Sequence, residues 1–488
     1  MALDDFQIIN QITKLLVIGG NLLPGLRDEQ RIINTSFIHE QLNVTKNRFG
    51  TIRTECEGLF EGEIRFPLHQ RVADSGYAPP VTLLKPLKGV DAETWHCLES
   101  WFDQDYAGPV QILFGVASPD DPACEMARQL IAARPGRVAQ LVICGESLGL
   151  NAKVSTLIQL FRHTVQEPTS GPSRETNALS EGGEKLPSLG RVGGGLAAAS
   201  KPLADQARSN RDRVVIISDA DVHVPRDFLA NVVAPMRDER IGLVSCFYCL
   251  ANPATLAMQW EAIAINADFW SQVLQAQSLK PLDFALGAVM ATTRRRLESI
   301  GGFEAFVDFL ADDYQLGNLI VRQGGRIVLS PVVVECRESP KSWLEVWRHQ
   351  LRWARTIRVC QPLPYFFSIL SNATLWPLLW LIASFPSASQ TSFSTTMSGA
   401  TTLVIVQVHP LPKVLWFVLA IWLARTITAL WQESRLTRSH SHCAFFWLVP
   451  VKDLLAAVVW ALSFLGNSVE WRGQRYRVRR GGKLERVS

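Results

Sequence analysis

From Val81 onward the chain alternates short apolar runs with amphipathic stretches. "VTLLK", "VQILFGV", "VAQLVIC" and "VVIIS" have strand length and β-forming composition. Between them, "PACEMARQLIAARPG" sets a proline at the start and a glycine just past the end of a helical period. This alternation predicts an α/β fold with a largely parallel sheet covered by helices, and ligands beyond the carboxyl ends of its strands. Residues 1–75 show no strong period and stay unassigned. Their best apolar run, "LLVIGGNLLPGL", is shorter than the about 20 residues a bilayer needs and lacks a signal-peptide cleavage pattern. Residues 166–212, rich in Pro, Gly, Ser and charge, predict a flexible insertion between a helix and a strand. The "GRVGGG" inside it follows no strand, which argues against a phosphate loop.

The pattern changes again beyond residue 340. "SWLEVWRHQLRWARTIR" places Trp343, Leu344, Trp347, Leu351 and Ile357 near one helical stripe with four arginines beside it. That composition suits a helix over 341–361 lying in a membrane interface; the alternative is a core-packed amphipathic helix. Residues 362–467 hold three apolar regions. "LPYFFSILSNATLWPLLWLIASFP" is 24 residues without a charge and predicts a spanning helix. The second runs from about Thr401 to Trp431, broken by "HPLPK". The third, "CAFFWLVPVKDLLAAVVWALSFLG", carries Lys452 and Asp453 in its middle, so it either packs inside protein or re-enters the bilayer. The chain closes, over 468–488, in a basic tail. Positive residues beside membrane segments favour the cytoplasm. A catalytic domain over 76–340 and a tail on the same side require an even number of crossings.

Composition sharpens this division. Charged residues make up only 19% of the 488, against roughly 25% in soluble domains, and none lies between Arg358 and Lys413. A net charge of +4 is too small to argue for a nucleic-acid partner. The nine cysteines are scattered, and the single C-x-x-C, Cys246 and Cys249, falls in a predicted strand where the two thiols face opposite ways. Zinc is therefore not expected, and reduced thiols fit best.

"VVIISDADVHV" ends a buried strand in Asp219 and Asp221. Extended backbone turns residues at i and i+2 to the same side, and two like charges there are unfavourable unless a cation joins them. A Mg²⁺ or Mn²⁺ ion carrying substrate phosphates is one occupant. A strand ending in a polar turn that caps the next helix is the other reading.

Nine stretches in order, "LLKPLKGVD", "FDQDY", "ILFGVASPDDPA", "NAKVSTLIQL", "SDADVHV", "GAVMATTRRRLESIGGF", "LADDYQLG", "HQLRW" and "WRGQRYR", resemble the ceramide glucosyltransferase family, glycosyltransferase family 21, and especially its bacterial branch with hopanoid-associated enzymes. Two features depart from that pattern: the family's initial transmembrane helix has no counterpart in residues 1–75, and the 166–212 insertion is extra. The resemblance implies a GT-A type nucleotide-sugar-binding domain followed by an α-helical transmembrane region. It implies a UDP-sugar donor, a lipid acceptor, a membrane location, a divalent metal (Mg²⁺ or Mn²⁺), and inversion at the anomeric carbon. Asp219 and Asp221 match the metal and nucleotide motif, and Asp91 matches the first conserved aspartate. Asp120 or Asp121 lies where a loop could meet the uracil or ribose. Lys153 is in reach of a phosphate, although a solvated helix position is the reading from its residue type. The acidic pair Asp312 and Asp313 supplies the general base, with Asp313 preferred and Asp312 next; a helix N-cap is the structural alternative for Asp313. Arg352 and Trp353 match the Q-x-x-R-W motif, Arg352 facing diphosphate oxygens, and His349 stands at its first position as a substrate-binding residue. A processive polysaccharide synthase and a non-catalytic membrane scaffold are the competing functions; the retained acidic and Arg-Trp residues weigh against the scaffold.

Overall fold

A computed structural model describes residues 77–164, 212–388, 411–437, 444–471 and 474–487. Residues 1–75, and all of the 166–212 insertion except Asp212, lie outside the described residues.

Eight strands form one sheet in the order β3-β2-β1-β4-β7-β6-β8-β5. β1 (Val81–Leu87), β2 (Val110–Val116), β3 (Val138–Ile143) and β4 (Val214–Ser218) run parallel to one another. β6 (Ile241–Leu250) and β8 (Arg326–Cys336) also run parallel, while β7 (Val289–Thr293) is antiparallel to both its neighbours and the two-residue β5 (Val222–His223) is antiparallel to β8. The sheet is thus mixed but mostly parallel, as the alternating runs predict. Every residue of β1 and β4 is buried, which explains their continuous rather than alternating apolar sequence: both faces are covered.

Successive residues feed opposite faces. Leu83, Ile112 and Ile216 pack with α1 (Thr94–Glu99), α2 (Ala123–Ala133) and α4 (Phe228–Val233). Leu84, Leu113 and Ile217 pack with α3 (Ala152–His163), α7 (Arg294–Ser299) and α8 (Asp312–Arg322). Because β7 is antiparallel, its first residues stand at the same sheet edge as the last residues of β1, β4, β6 and β8. That edge carries the site.

After β6 the chain forms α5 (Leu256–Ile263), a π-helical turn over Ala264–Phe269, and α6 (Trp270–Leu279). Asn266 in that turn closes the end of β6, accepting from Leu250 N at 2.9 Å and donating to Leu250 O at 3.1 Å. α9 (Trp343–Cys360) starts at a capping box between Ser342 and Glu345. Its stripe divides. Trp343 and Trp347 stack on Trp260 of α5 at 5.8 and 6.1 Å, while Leu344 and Ile357 stay exposed.

The 24-residue apolar run is not one straight helix. α10 (Pro362–Phe367) and the following 3₁₀ turn meet α11 (Leu375–Ala388) at a 54° bend. Asn372 makes the break by accepting from Thr374 N and Leu375 N. α12 (Leu411–Thr437) contains, over Lys413–Thr437, a stretch long and apolar enough to cross a membrane; the rest of the second apolar region, with His409 and Pro410, lies outside the described residues. In α13 (Leu448–Ser463), Lys452 and Asp453 are buried. Lys452 pairs with Asp268 and Asp453, Arg425 of α12 pairs with the same two carboxylates at 2.9 Å each, and Thr374 Oγ1 donates to Asp453. Two acids and two bases balance, which resolves how a charge pair sits inside an apolar block: each charge is compensated within protein.

The basic C terminus is a folded element rather than a free tail. β9 (Ser468–Trp471), β10 (Gln474–Val478) and β11 (Leu484–Arg486) form an antiparallel sheet. Leu310, Val469, Tyr476, Val478 and Leu484 share a small core, so apolar residues alternating with the arginines supply one buried face.

Candidate active site

The site is built from loops beyond β1, β4 and β8, the first residues of β7, and the starts of α3 and α8. Asp219 follows β4 directly, and its N–H donates to Ala288 O at 3.2 Å. Lys153, in the first turn of α3, is aimed across the sheet edge because Asn151 pins that turn: it accepts from Val154 N and donates to Phe309 O at 2.7 Å. Lys153 Nζ lies 2.7 Å from Asp219 Oδ1 and 3.0 Å from Asp312 Oδ2. Burial disfavours its charge, yet the two carboxylates hold its pKa well above the ordinary lysine value. Lys153 is therefore not a solvated helix residue, which its residue type suggested, but a buried cation joining the strand-end pair to the acidic pair.

Desolvation and the adjacent Asp219 carboxylate push Asp221 up to about 7, so positive charge is in short supply between the two aspartates. A lysine beneath them answers part of that demand. Lys85 of β1 is fully buried, stands over the Trp101 ring, and donates to Ser218 Oγ at 3.1 Å and Asp219 O at 2.5 Å. Burial lowers its pKa to about 8. Sequence reasoning passed over Lys85; a lone lysine inside an otherwise apolar strand is the signal that marks it.

Asp312 and Asp313 open α8, preceded by Ala311 as a cap without a side-chain bond. Asp313 accepts from Tyr314 N at 2.7 Å, within its own turn, so the carboxylate does not cap the helix from outside. Burial, then the Asp312 charge, raise Asp313 to about 6. Gly287, just before β7, touches it: a Cβ there would lie 2.9 Å from Asp313 Oδ2. The C-terminal sheet supports the segment leading into α8, with Leu310 N donating to Gly482 O, Leu484 N to Asp308 O, and Gln315 Nε2 to Gly481 O.

The remaining expected residues divide. Asp91 Oδ1 accepts from Glu93 N, Thr94 N and Thr94 Oγ1, and Oδ2 accepts from Ser339 N, so it ties the β1 loop to the segment after β8. Asp121 accepts from Gly89 N and Ala123 N, bracing that same loop, while Asp120 is exposed. On α9, Arg352 is desolvated, which lowers its pKa, against the opposing pull of Asp219, Glu261, Asp313 and Asp312. Its guanidinium thus feels Asp219 and the Asp312–Asp313 pair. Trp353 packs on Phe269 and on the edge of His349. His349 Nδ1 meets Glu261 Oε1 at 2.6 Å; Glu261, unforeseen from the sequence, is 1% exposed.

Paired carboxylates thus lie past the strand ends of a mostly parallel α/β sheet, with buried lysines and an arginine around them. The chain belongs to glycosyl transferase family 21: the profile of that family matches residues 51–167 and 201–484, and the protein is a glycosyltransferase. Ceramide glucosyltransferase 3 of Caenorhabditis elegans is 21% identical over 423 residues, covering 86% of this chain and 77% of that protein. Ceramide glucosyltransferase 1 of the same organism is 23% identical, covering 54% of this chain and 47% of the relative, and the Candida albicans ceramide glucosyltransferase is 36% identical, covering 21% and 17%. Among solved structures, a Pyrobaculum calidifontis mannosyltransferase with GDP-Man and Mn²⁺ is 18% identical with a TM-score of 0.36, covering 86% of this chain and 96% of that one. Likeness at that level carries no residue roles.

Proposed function

We propose that the protein moves a hexose from a UDP-sugar, UDP-glucose or UDP-N-acetylglucosamine, to the hydroxyl of a membrane lipid, with inversion at the anomeric carbon. The observation that carries this reading is the Lys153 bridge, because it makes one site of a donor-side carboxylate, Asp219, and the acidic pair at Asp312 and Asp313. The relatives' names as ceramide glucosyltransferases support a lipid acceptor.

Asp313 is the general base. Raised to about 6, it is ionised at neutral pH yet basic enough to take a hydroxyl proton, the compromise that base catalysis requires. As the acceptor oxygen bonds to the anomeric carbon, the bond from that carbon to the diphosphate breaks and the proton passes to Asp313. The Asp312 carboxylate, paired with Lys153, holds Asp313's affinity for a proton up. Arg352 faces the diphosphate, where its planar fork suits phosphate oxygens.

The donor set also fits a divalent cation. Among the described residues no three His, Cys, Asp or Glu side chains form a closed cage; one or two carboxylates completed by phosphate and water oxygens is the usual Mg²⁺ arrangement. Asp219 and Asp221 would hold Mg²⁺ or Mn²⁺, which when bound offsets charge on the diphosphate.

In this reading the protein is attached to a membrane, which α12 and the exposed Phe366, Phe367, Trp380, Trp416 and Leu465 in and beside the apolar helices support, and the positive residues beside those segments favour the cytoplasmic face for the catalytic unit. The decisive experiment is mass spectrometry of lipids from cells with and without the protein, beside transfer from labelled UDP-sugar in detergent. A lipid one hexose heavier is expected. A ladder of oligosaccharides, or no glycolipid difference, would sink the reading.

A further inference from the structure

Four arginines gather where α9 meets the C-terminal sheet, and the transfer reaction described above uses only one of them. Arg348, Arg352, Arg355 and Arg475 line a cavity of about 350 Å³, with Glu470 as the single carboxylate on its wall. That volume falls in the roughly 300–1,000 Å³ range of small-ligand sites. The three arginines of α9 stand at i, i+4 and i+7, so one face of the helix turns to β9 and β10. Like charges around one space are unfavourable unless an opposite charge joins them. Glu470 offsets little of this, since it meets Arg348 at 3.8 Å with both side chains exposed. Arg355 donates to Ser468 O, yet its Nε is buried without a hydrogen-bond partner. Burial, then the neighbouring Arg358 charge, lower the Arg355 pKa. Among the described residues, the side chains of Arg352 and Arg475 make no hydrogen bond or ion pair. The rest of the wall is largely apolar, with Leu351, Val469 and Val487. Arg358 donates to Gly466 O at 3.3 Å, which ties α9 to the turn after α13. That turn leaves Phe464 and Leu465 exposed and runs into Ser468 on the cavity wall.

We propose that this cavity is a binding site for a phosphate group other than the donor diphosphate, held by Arg348, Arg355 and Arg475. Guanidinium forks match phosphate oxygens in pairs, so several arginines around one space suit that anion better than a point charge. The apolar wall and the exposed turn beside it favour a phosphate carried on a lipid. Basic pockets beside membrane helices take anionic headgroups, and the acyl chains then lie along the neighbouring apolar surface. A ligand held between α9 and β10 would also fasten the C-terminal sheet, which supports the segment leading into α8. The phosphate site stands on the cavity's own residues; only its lipid source rests on the membrane reading above.

The test uses the full chain in detergent micelles and reads binding without turnover. Native mass spectrometry compares retention of phosphatidylglycerol with that of phosphatidylcholine, and calorimetry follows inorganic phosphate alone. Arg475→Gln is expected to weaken binding at least about tenfold, the loss of a hydrogen bond to a charged group. Arg479→Gln, on a residue that pairs with Glu485 and does not line the cavity, should leave binding unchanged. Preferred retention of phosphatidylglycerol that is lost in Arg475→Gln assigns the site to a lipid headgroup. A response to inorganic phosphate alone, lost in the same variant, assigns it to a soluble phosphate; either result upholds the site. Binding of neither probe, or equal losses in the two variants, overturns it. UDP-sugar affinity should move within about threefold in Arg475→Gln, as for separate sites. A matching tenfold loss there would make the cavity the donor's own site and overturn the proposal. Arg475 is exposed on β10, so thermal unfolding should not change; if it does, Arg348→Gln gives the same comparison. An enzyme that fails to transfer hexose would sink the functional reading and leave these binding results standing.

Discussion

Gly287 sits against Asp313: a methyl group on its Cα would lie 2.9 Å from Oδ2 and 3.4 Å from Cγ. Both atoms belong to a side chain that can rotate, so added bulk would displace the carboxylate rather than the backbone. Gly287→Ala is therefore expected to fold with little change in thermal unfolding and to lose at least about tenfold in kcat, since misplacing a catalytic group by an ångström costs that much or more. A variant that is destabilised but fully active per folded molecule would remove Gly287 from the site.

Asp313→Asn should lower kcat by about 10² to 10⁴ while leaving UDP-sugar binding nearly unchanged. The carboxamide keeps the size of the side chain and can still accept from Tyr314 N, so a structural Asp313 would tolerate it. Steady-state kinetics beside donor titration separates these outcomes. Should activity persist, Asp312 is the next base to examine.

The acid limb of the pH–rate profile should follow Asp313. Its pKa is raised to about 6, and only the ionised form accepts a proton. kcat/KM is thus expected to be full above that value and to fall as pH drops through it. The Lys153 charge acts to lower the Asp313 pKa, so Lys153→Met should carry the limb to higher pH as well as reduce the maximum rate. A limb unmoved by this substitution would separate Lys153 from the base.

Excess EDTA should abolish turnover, and Mn²⁺ or Mg²⁺ should restore it. Asp219→Asn should weaken metal and UDP-sugar binding together, in contrast to Asp313→Asn. The measurement is donor affinity by calorimetry with and without the ion; full turnover in EDTA removes the metal role from Asp219 and Asp221.

Truncation after Asn467 should leave the eight-stranded sheet folded, because the core of β9–β11 is separate from the two sheet cores. It removes the bonds that Gly481, Gly482 and Leu484 make to Gln315, Leu310 and Asp308. Turnover is expected to fall at least about tenfold through looser placement of Asp313, with circular dichroism unchanged. Normal activity in the truncated chain would make this sheet irrelevant to the site.

Much of this protein was readable along the chain. Apolar runs of strand length between helical periods report local burial on two faces, so the strands through β4 and the helices between them could be placed without coordinates. The aspartates at 219 and 221 could be placed at a strand end for the same reason, and the ordered motifs pointed to the acidic pair and to Arg352. What a residue meets across the fold leaves no such periodic trace. Lys153 looks like any helix-surface lysine until α3 is docked over the sheet edge, and then it is buried between Asp219 and Asp312. Lys85, Glu261 and Gly287 owe their roles to partners far away in sequence: Asp219, His349 and Asp313. The apolar run at 363–386 reads as one span because hydropathy ignores the Asn372 cap that bends it. The C-terminal arginines read as a tail because their alternation with Val469, Tyr476, Val478 and Leu484 becomes a buried face only against Leu310. Periodicity records which side of an element is dry; docking sets which charges share that dry space, and there electrostatics is strong enough to make a site.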